Sequence, residues 1–522
     1  MGRAAGVTLA YAIVGSGLSI ALGLVGGVVS SRIWWQILFP PGRVGHRLGR
    51  GLWLCTRGLL AFPRAIHELI WGLMLLQLFG LDPLVAVGAI AIPFGAIVAK
   101  VFSEILDETP REPLYALLSS GVAPLQALLY GLLPQALPNL LSYSFYRFEC
   151  SLRAAATLGI IGAGGIGYEI YLSLQSLRYD QLWTGFYALI LLNGAADAWS
   201  ALVRRRMGFT SRLDLNLKPG SQFAAEDGTA SAPDSPASSA SSMARPPGPK
   251  QDWVLRLSWM GVALALPLAF SFLGINWSLL WAPRTRILLG EMATSLSLAL
   301  PAPTELGNLL YLAYLTLAMS ILAGTLAGIG GMIMSFPAAQ NFALAGGVLD
   351  ALGQSSAYVS LGRATVLAVS RVILLVSRAI PAPIWALVFL FVLFPGILPG
   401  ALALGMHNFG ILGRLMAEVN ENIDDRPVRA LRALGASSGH LMIYGVMPQN
   451  LSRFLAYGLY RWEVCLRETV VVGLVGAGGL GRLLTEQISS FDYGGVGLTL
   501  VVFFLLTLGV DAISHRMRHS LK

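Results

Sequence analysis

Charge is what this 522-residue sequence has least of: Asp, Glu, Lys and Arg together make up 12% of it. An ordinary soluble domain carries about 25%. At half that level the chain cannot cover several globular cores with a hydrated surface. This excludes a soluble enzyme, a coiled coil and a wholly disordered protein. Lysine is nearly absent, with only Lys100, Lys218, Lys250 and Lys522. The net charge of +9 is therefore carried by arginine. In an apolar chain that balance fits anchoring at a membrane face better than nucleic-acid binding. The three cysteines, Cys55, Cys150 and Cys465, are far apart and form no CxxC, so neither a disulfide framework nor a zinc site is expected. The six histidines show no HExxH or similar spacing, and no metal site is assigned. No GxxxxGK[ST] occurs, so the chain has no loop of the kind that cradles nucleotide phosphates. No nucleophile–base constellation is visible either, and no catalytic residue is assigned.

What the sequence has is hydrophobic length. Fifty-five per cent of its residues are hydrophobic, and 59 are glycine, which lets membrane helices pack closely. A crossing helix needs about 20 mostly apolar residues. Five such runs come first, at Val7–Ser31, Ala65–Leu81, Leu84–Leu106, Leu132–Ile160 and Leu182–Leu202. The basic triplet Arg204–Arg206 closes this set. The sequence then turns Ser/Ala/Pro-rich without apolar periodicity, which reads as a disordered tether at 211–252. Six further runs follow, at Trp253–Leu273, Leu306–Met334, Ala379–Leu398, Ala401–Val419, Val446–Gly473 and Val496–Ile513. The expected fold is an all-α integral membrane protein with about 11 transmembrane helices. Its expected parts are a first unit at 1–210, the tether, and a second unit at 253–522.

The two units are copies. Pro113 pairs with Pro427, Gly121 with Gly435, Pro134 with Pro448, and Gly167 with Gly481, each at an offset of 314 residues. Arg147, Glu149 and Arg153 pair with Arg461, Glu463 and Arg467 at the same offset, as do Arg57 with Arg371, Arg64 with Arg378, and Asp197 with Asp511. The helix at Trp253–Leu273 has no counterpart in the first unit. It makes the step between repeats even, so the units are expected to be parallel, about a pseudo-two-fold axis along the membrane normal. The positive-inside rule places Arg204–Arg206, the tether and the carboxyl-terminal basic cluster in the cytoplasm.

Between the third and fourth spans of each unit lies a short polar segment, REPLYALLSSG or DRPVRALRALGAS. Pro113 and Pro427 suit a first helical turn, and Gly121 and Gly435 suit its end. Each segment reads as a short helix outside the bilayer, either a docking knob for a soluble partner or a simple re-entry turn. Here the sequence resembles the permease subunits of ABC importers, whose EAA loop has this spacing. The copies read Tyr115-Ala116-Leu117, Gly121, Leu133-Pro134 and Arg429-Ala430-Leu431, Gly435, Met447-Pro448. Tyr115 and Arg429 stand where that family has glutamate. GLLPQALPNLLSYSFYRFE with LGIIGAGGIG, and YGVMPQNLSRFLAYGLYRWE with LVGLVGAGGLG, resemble the phosphonate/phosphite branch in particular. The resemblance implies a methionine-importer-like permease fold with two halves fused, carrying a small phosphorus oxyanion across a bacterial inner membrane. It also implies a homodimeric ATPase holding ATP and Mg at the cytoplasmic face, and a periplasmic or lipid-anchored binding protein outside. A permease of the same fold for an amino acid or betaine-like solute is the alternative, followed by an ion-coupled secondary transporter.

Two further features bear on the pathway. The trios Arg147, Glu149, Arg153 and Arg461, Glu463, Arg467 place charge inside an apolar span, where it faces a partner or an aqueous cavity. Glu149 is expected to pair with Arg153, and Glu463 with Arg467, at i,i+4. Arg147 and Arg461 are then unpaired, and the trios either guide an anion or lock the bundle. The series Arg50, Arg57, Arg64, echoed by Arg371 and Arg378, reads as arginines reaching lipid headgroups. Gly162, Gly164, Gly165 and Gly167, with Gly476, Gly478, Gly479 and Gly481, form a loop after the fourth span, either a flexible gate or a tight turn.

Overall fold

The computed structural model describes residues 1–39, 45–206, 253–295, 303–343 and 357–520; the expected tether lies outside them. Among these residues every regular element is helical. In the first unit the principal helices are α1 (Gly2–Ser30), α2 (Gly45–Ala65), α3 (Glu68–Phe79), α4 (Pro83–Glu108), α5 (Glu112–Ser119), α6 (Leu133–Leu158), α7 (Gly165–Gln175) and α8 (Tyr179–Arg206). α9 (Trp253–Leu273) and α10 (Pro283–Ser295) lead into the second unit. That unit repeats the order as α11 (Pro303–Ala338), α12 (Ala357–Ala379), α13 (Ala382–Val392), α14 (Ile397–Glu421), α15 (Arg426–Ala433), α16 (Met447–Val472), α17 (Gly479–Ser489) and α18 (Tyr493–Ser520).

Among the described residues, six helices are long and apolar enough to span a membrane by themselves, and four bent pairs bring the total to ten. α14 is the eleventh by position, since it stands where α4 stands in the first unit. His407, Asn408 and Arg414 lower its apolar character. Two expected spans are not straight. Ala65–Leu81 and Ala379–Leu398 fall on sharp breaks, α2 to α3 at 85° and α12 to α13 at 93°. In the second unit Pro381 and Pro383 explain the break: proline lacks the N–H a continuing helix needs and pushes the preceding residue out of helical geometry. In the first, Pro63 weakens the last turn, and the His67 side chain caps the next helix by accepting from Leu69 N at 3.3 Å.

These breaks carry α3 and α13 across to the other unit. Ile66 and Ile70 pack against Leu480, Leu484, Ile488, Val496, Leu500 and Phe503. Ile380 and Ile384 pack against Ile166, Ile170, Leu174, Leu182, Phe186 and Leu189. Each residue in one set is the 314-residue mate of one in the other. The two halves therefore meet through a self-complementary interface, as two-fold subunits do. With the four further spans of the first unit and α9 between them, five in all, α1 and α11 run the same way, so the axis lies along the membrane normal.

Within a unit the tightest packing is α1 on α4. A side chain at Gly15, Gly23 or Gly27 would meet Ile90, Val98 or Phe102 at 2.8, 2.3 and 2.7 Å. Small residues on one helix thus seat large ones on the next. The repeat slips here. Thr8 Oγ1 accepts from Ile166 N at 2.9 Å, and Thr316 Oγ1 accepts from Leu480 N at 3.0 Å. Thr316 is 308 residues after Thr8, so the second copy has six more residues between its first helix and α12.

A cationic cavity between the two units

α4, α6, α14 and α16 surround the interface, with the ends of α2 and α12. Between them lies a cavity of about 180 Å³. Phe94, near the middle of the α4 span, is in its wall, which sets the cavity at mid-depth. A smaller cavity of about 70 Å³ adjoins it on the side of α5 and α15. Tyr146 and Tyr460, mates in the repeat, line both cavities and stand at their junction with Ile411, Arg153 and Arg461.

Five arginines line the larger cavity: Arg64, Arg147, Arg153, Arg461 and Arg467. Its carboxylates are Glu68 and Glu468. Glu68 faces His67 at 3.2 Å, and Glu468 faces Arg461 at 3.5 Å. Among the described residues Arg64, Arg147, Arg153 and Arg467 have no carboxylate within ion-pair distance. Arg147 is 7% exposed, and its Nε and Nη2 have no hydrogen-bond partner. Its guanidinium carbon lies 4.0 Å from the Phe94 ring centroid.

The structure corrects several sequence expectations. Glu149 does not pair with Arg153; it faces Arg204 at 3.4 Å, with both side chains buried. Arg153 instead donates to Cys150 Sγ at 3.4 Å. Likewise Glu463 pairs with Arg518 at 2.8 Å rather than with Arg467, which reaches the carbonyls of Glu463 and Arg64 at 3.4 Å. Arg518 is the mate of Arg204, so one device ties α6 to α8 and α16 to α18. Arg461 is not unpaired. It donates from Nε to Asn408 Oδ1 at 2.7 Å, donates again from Nη2 to the same oxygen, and lies beside Glu468.

The second arginine series turns mostly inward, and only Arg50 is exposed. Arg57 donates to Ser103 Oγ at 3.4 Å and lies over Trp53. Arg371 pairs with Glu421, and Arg378 pairs with Asp197 across the unit boundary. Arg64 faces the cavity.

The glycine loops are turns braced by the first helix of each unit. Gly162, Gly164, Gly165, Gly476, Gly478 and Gly479 all have positive φ. Tyr11 donates to the Ala163 carbonyl at 2.9 Å, and Thr8 and Thr316 hold the following amides. Gly167 and Gly481 serve close approach: an added Cβ would lie 1.8 Å from the Ala156 oxygen and 2.0 Å from the Val470 oxygen. None of these glycines lines the central cavity.

α5 and α15 stand clear of the bundle. Pro113 and Pro427 occupy their first turns, and Leu114 and Val428 anchor them in the core. Tyr115 and Arg429 point outward, Arg429 paired with Asp425. Gly121 and Gly435 follow with φ of 81° and 82°, and Pro134 and Pro448 open α6 and α16. Beside α15, hydrogen bonds from Arg426 hold the Asp424 carboxyl below its ordinary range.

Residues 44–209 and 351–519 each match the family described as the binding-protein-dependent transport system inner membrane component. The chain belongs to that family, twice over. It is a multi-pass inner-membrane permease of the ABC importer class. A phosphate-import permease protein of Mycolicibacterium smegmatis is 27% identical over 467 residues, 89% of this chain and 77% of its own. That alignment exceeds either unit, so it runs through both. A phosphite transport system permease protein of Stutzerimonas stutzeri is 34% identical over 207 residues, 40% of this chain and 69% of its own. Family membership favours import dependent on a binding protein over an ion-coupled secondary transporter.

Proposed function

We propose that this chain is a complete transmembrane pathway for a small phosphorus oxyanion such as phosphonate, phosphite or phosphate. The observation that carries the reading is the charge of the central cavity: five arginines against two carboxylates. An anion lacking a proton is stabilised there, because guanidinium groups donate to tetrahedral oxyanions in a two-pronged geometry. A zwitterionic solute, whether an amino acid or a betaine, has no net negative charge and would leave that excess uncompensated. The names of the two relatives agree with the same class of solute.

In this reading α5 and α15 lie in the cytoplasm and dock the two chains of a homodimeric ATPase. That partner binds ATP and Mg; this chain holds no cofactor and performs no hydrolysis. Pro113, Tyr115, Ala116, Gly121 and Pro134, with Pro427, Arg429, Ala430, Gly435 and Pro448, shape the docking surfaces. The opposite face, at the glycine turns, receives the solute from a periplasmic or lipid-anchored binding protein. These turns hold the outer ends of α6 and α16 in place while the pathway changes shape.

The test is uptake by proteoliposomes holding the permease, its ATPase and its binding protein. ATP-dependent accumulation of labelled phosphite, suppressed by excess phosphate or methylphosphonate and not by methionine or glycine betaine, is expected. Accumulation suppressed by methionine or betaine instead would overturn the solute class.

A further inference from the structure

The two halves of the cavity are related by the repeat, yet they are not electrically equivalent. Arg147 and Arg461 are mates. Around Arg461 stand Asn408, whose side-chain oxygen takes two of its donors, and Glu468. The residues at the mate positions, 314 earlier, are Phe94 and Ala154. Arg147 therefore has a ring where Arg461 has an amide, and a methyl where Arg461 has a carboxylate. Two donors of Arg147 are left buried and unused. The same bias recurs at Arg64 and Arg378. Arg378 is paired with Asp197, whereas Arg64 has no carboxylate within ion-pair distance, and Oδ1 of Asp511 is buried without a partner.

A buried guanidinium with idle donors is costly, and such a group is retained where a ligand completes it. We infer that the transit site for the anion is one-sided. The solute's oxygens bind Arg147, with Arg64 alongside on the same unit, while Arg461 is a structural cation neutralised by Glu468. Phe94 is the specificity element of the pair, because it denies Arg147 an internal acceptor and so keeps its donors for the solute. This rests on the oxyanion reading above and adds which half of the pathway touches the solute.

The experiment compares Arg147→Gln with the double variant Arg461→Gln/Glu468→Gln, which removes both charges of the neutral pair together. In the reconstituted complex, Arg147→Gln is expected to lower phosphite uptake at least tenfold. Arg147→Lys is expected to restore part of it, since an ammonium keeps the charge but not the fork. The double variant is expected to stay within about twofold. A swap variant, Phe94→Asn/Ala154→Glu, gives Arg147 the partners of Arg461 and is expected to lose uptake like Arg147→Gln. Equal losses in Arg147→Gln and the double variant, or uptake by Arg147→Gln within twofold of the unmodified complex, overturn the inference.

A second readout separates the inference from the transport reading. Millimolar phosphite is expected to raise the melting temperature of the detergent-solubilised permease, with the rise lost in Arg147→Gln and kept in the double variant. If the unmodified complex transports no phosphorus oxyanion, the transport reading falls. The inference still stands or falls on that thermal shift: its loss in Arg147→Gln alone upholds it, and its absence from the unmodified chain overturns it.

Discussion

Replacing Arg147 and Arg461 one at a time by methionine separates a cation held for a ligand from a cation held for the fold. Methionine keeps length and apolar contact and removes only charge and donors. At Arg461 the change orphans Glu468, whose side chain is 16% exposed. It also leaves Asn408 Oδ1 without the two donors it now accepts from. Breaking a buried pair from one side costs about 3–5 kcal/mol. Asn408 still donates to Glu468 Oε2 at 3.0 Å, so the lower end of that range applies. At Arg147 the loss is one stacking contact on Phe94, worth about 2 kcal/mol when desolvated. Against it stands the relief of burying a guanidinium with two idle donors, a penalty of several kcal/mol. The net change at Arg147 is near zero or stabilising, and the two variants differ by about 3 kcal/mol. The assay is the half-life of the monodisperse, detergent-solubilised chain at a fixed elevated temperature, since such chains unfold irreversibly. Arg461→Met is expected to shorten it many-fold and Arg147→Met to leave it unchanged or longer. Equal losses, or a greater loss at Arg147, would refute the assignment.

Other consequences are more local. Gly167→Ala and Gly481→Ala place a methyl within 2.0 Å of a backbone oxygen and are expected to abolish folded yield, while Gly509→Ala, which meets nothing within 4 Å, is expected to be neutral by the same size-exclusion assay. Asp197→Asn breaks the cross-unit pair with Arg378 and is expected to lower the melting temperature; Asp511→Asn, at the mate position with an unpartnered oxygen, is expected not to. Gly435→Leu strains a left-handed residue in open space, at about 1–2 kcal/mol. It should spare folded yield and yet uncouple ATP hydrolysis from uptake; normal transport at normal yield would count against a docking role for α15.

Much of the architecture was legible in the sequence because a duplication prints itself as a constant offset. The 314-residue spacing identified both short polar helices, both glycine turns and both charged trios, and the structure brings the four arginines of the trios to one cavity. Two kinds of information were lost. The first is which distant carboxylate meets which arginine. Glu149 and Glu463 take Arg204 and Arg518 from the ends of α8 and α18, whereas helical spacing suggested nearer neighbours. The 314-residue step between Arg204 and Arg518 was the signal that could have found them. The second is where the copies differ. Phe94 against Asn408 and Ala154 against Glu468 lie in apolar runs and matter only once α4 and α6, or α14 and α16, are packed together. The breaks before His67 and Pro381 were missed although His67-Glu68 and Pro381-Ala382-Pro383 mark them in the sequence: mean apolar character over a window of about 20 residues carries no sign that the chain turns through about a right angle inside it. The slip from 314 to 308 at the first helix was equally invisible without the Thr8 and Thr316 contacts.

The central claim is that the two halves of one chain close around a single pathway, so one copy suffices. Native mass spectrometry of the complex purified with its ATPase measures this directly. A mass corresponding to one permease chain with two ATPase chains is expected. A stable assembly of two permease chains with two ATPase chains would contradict it.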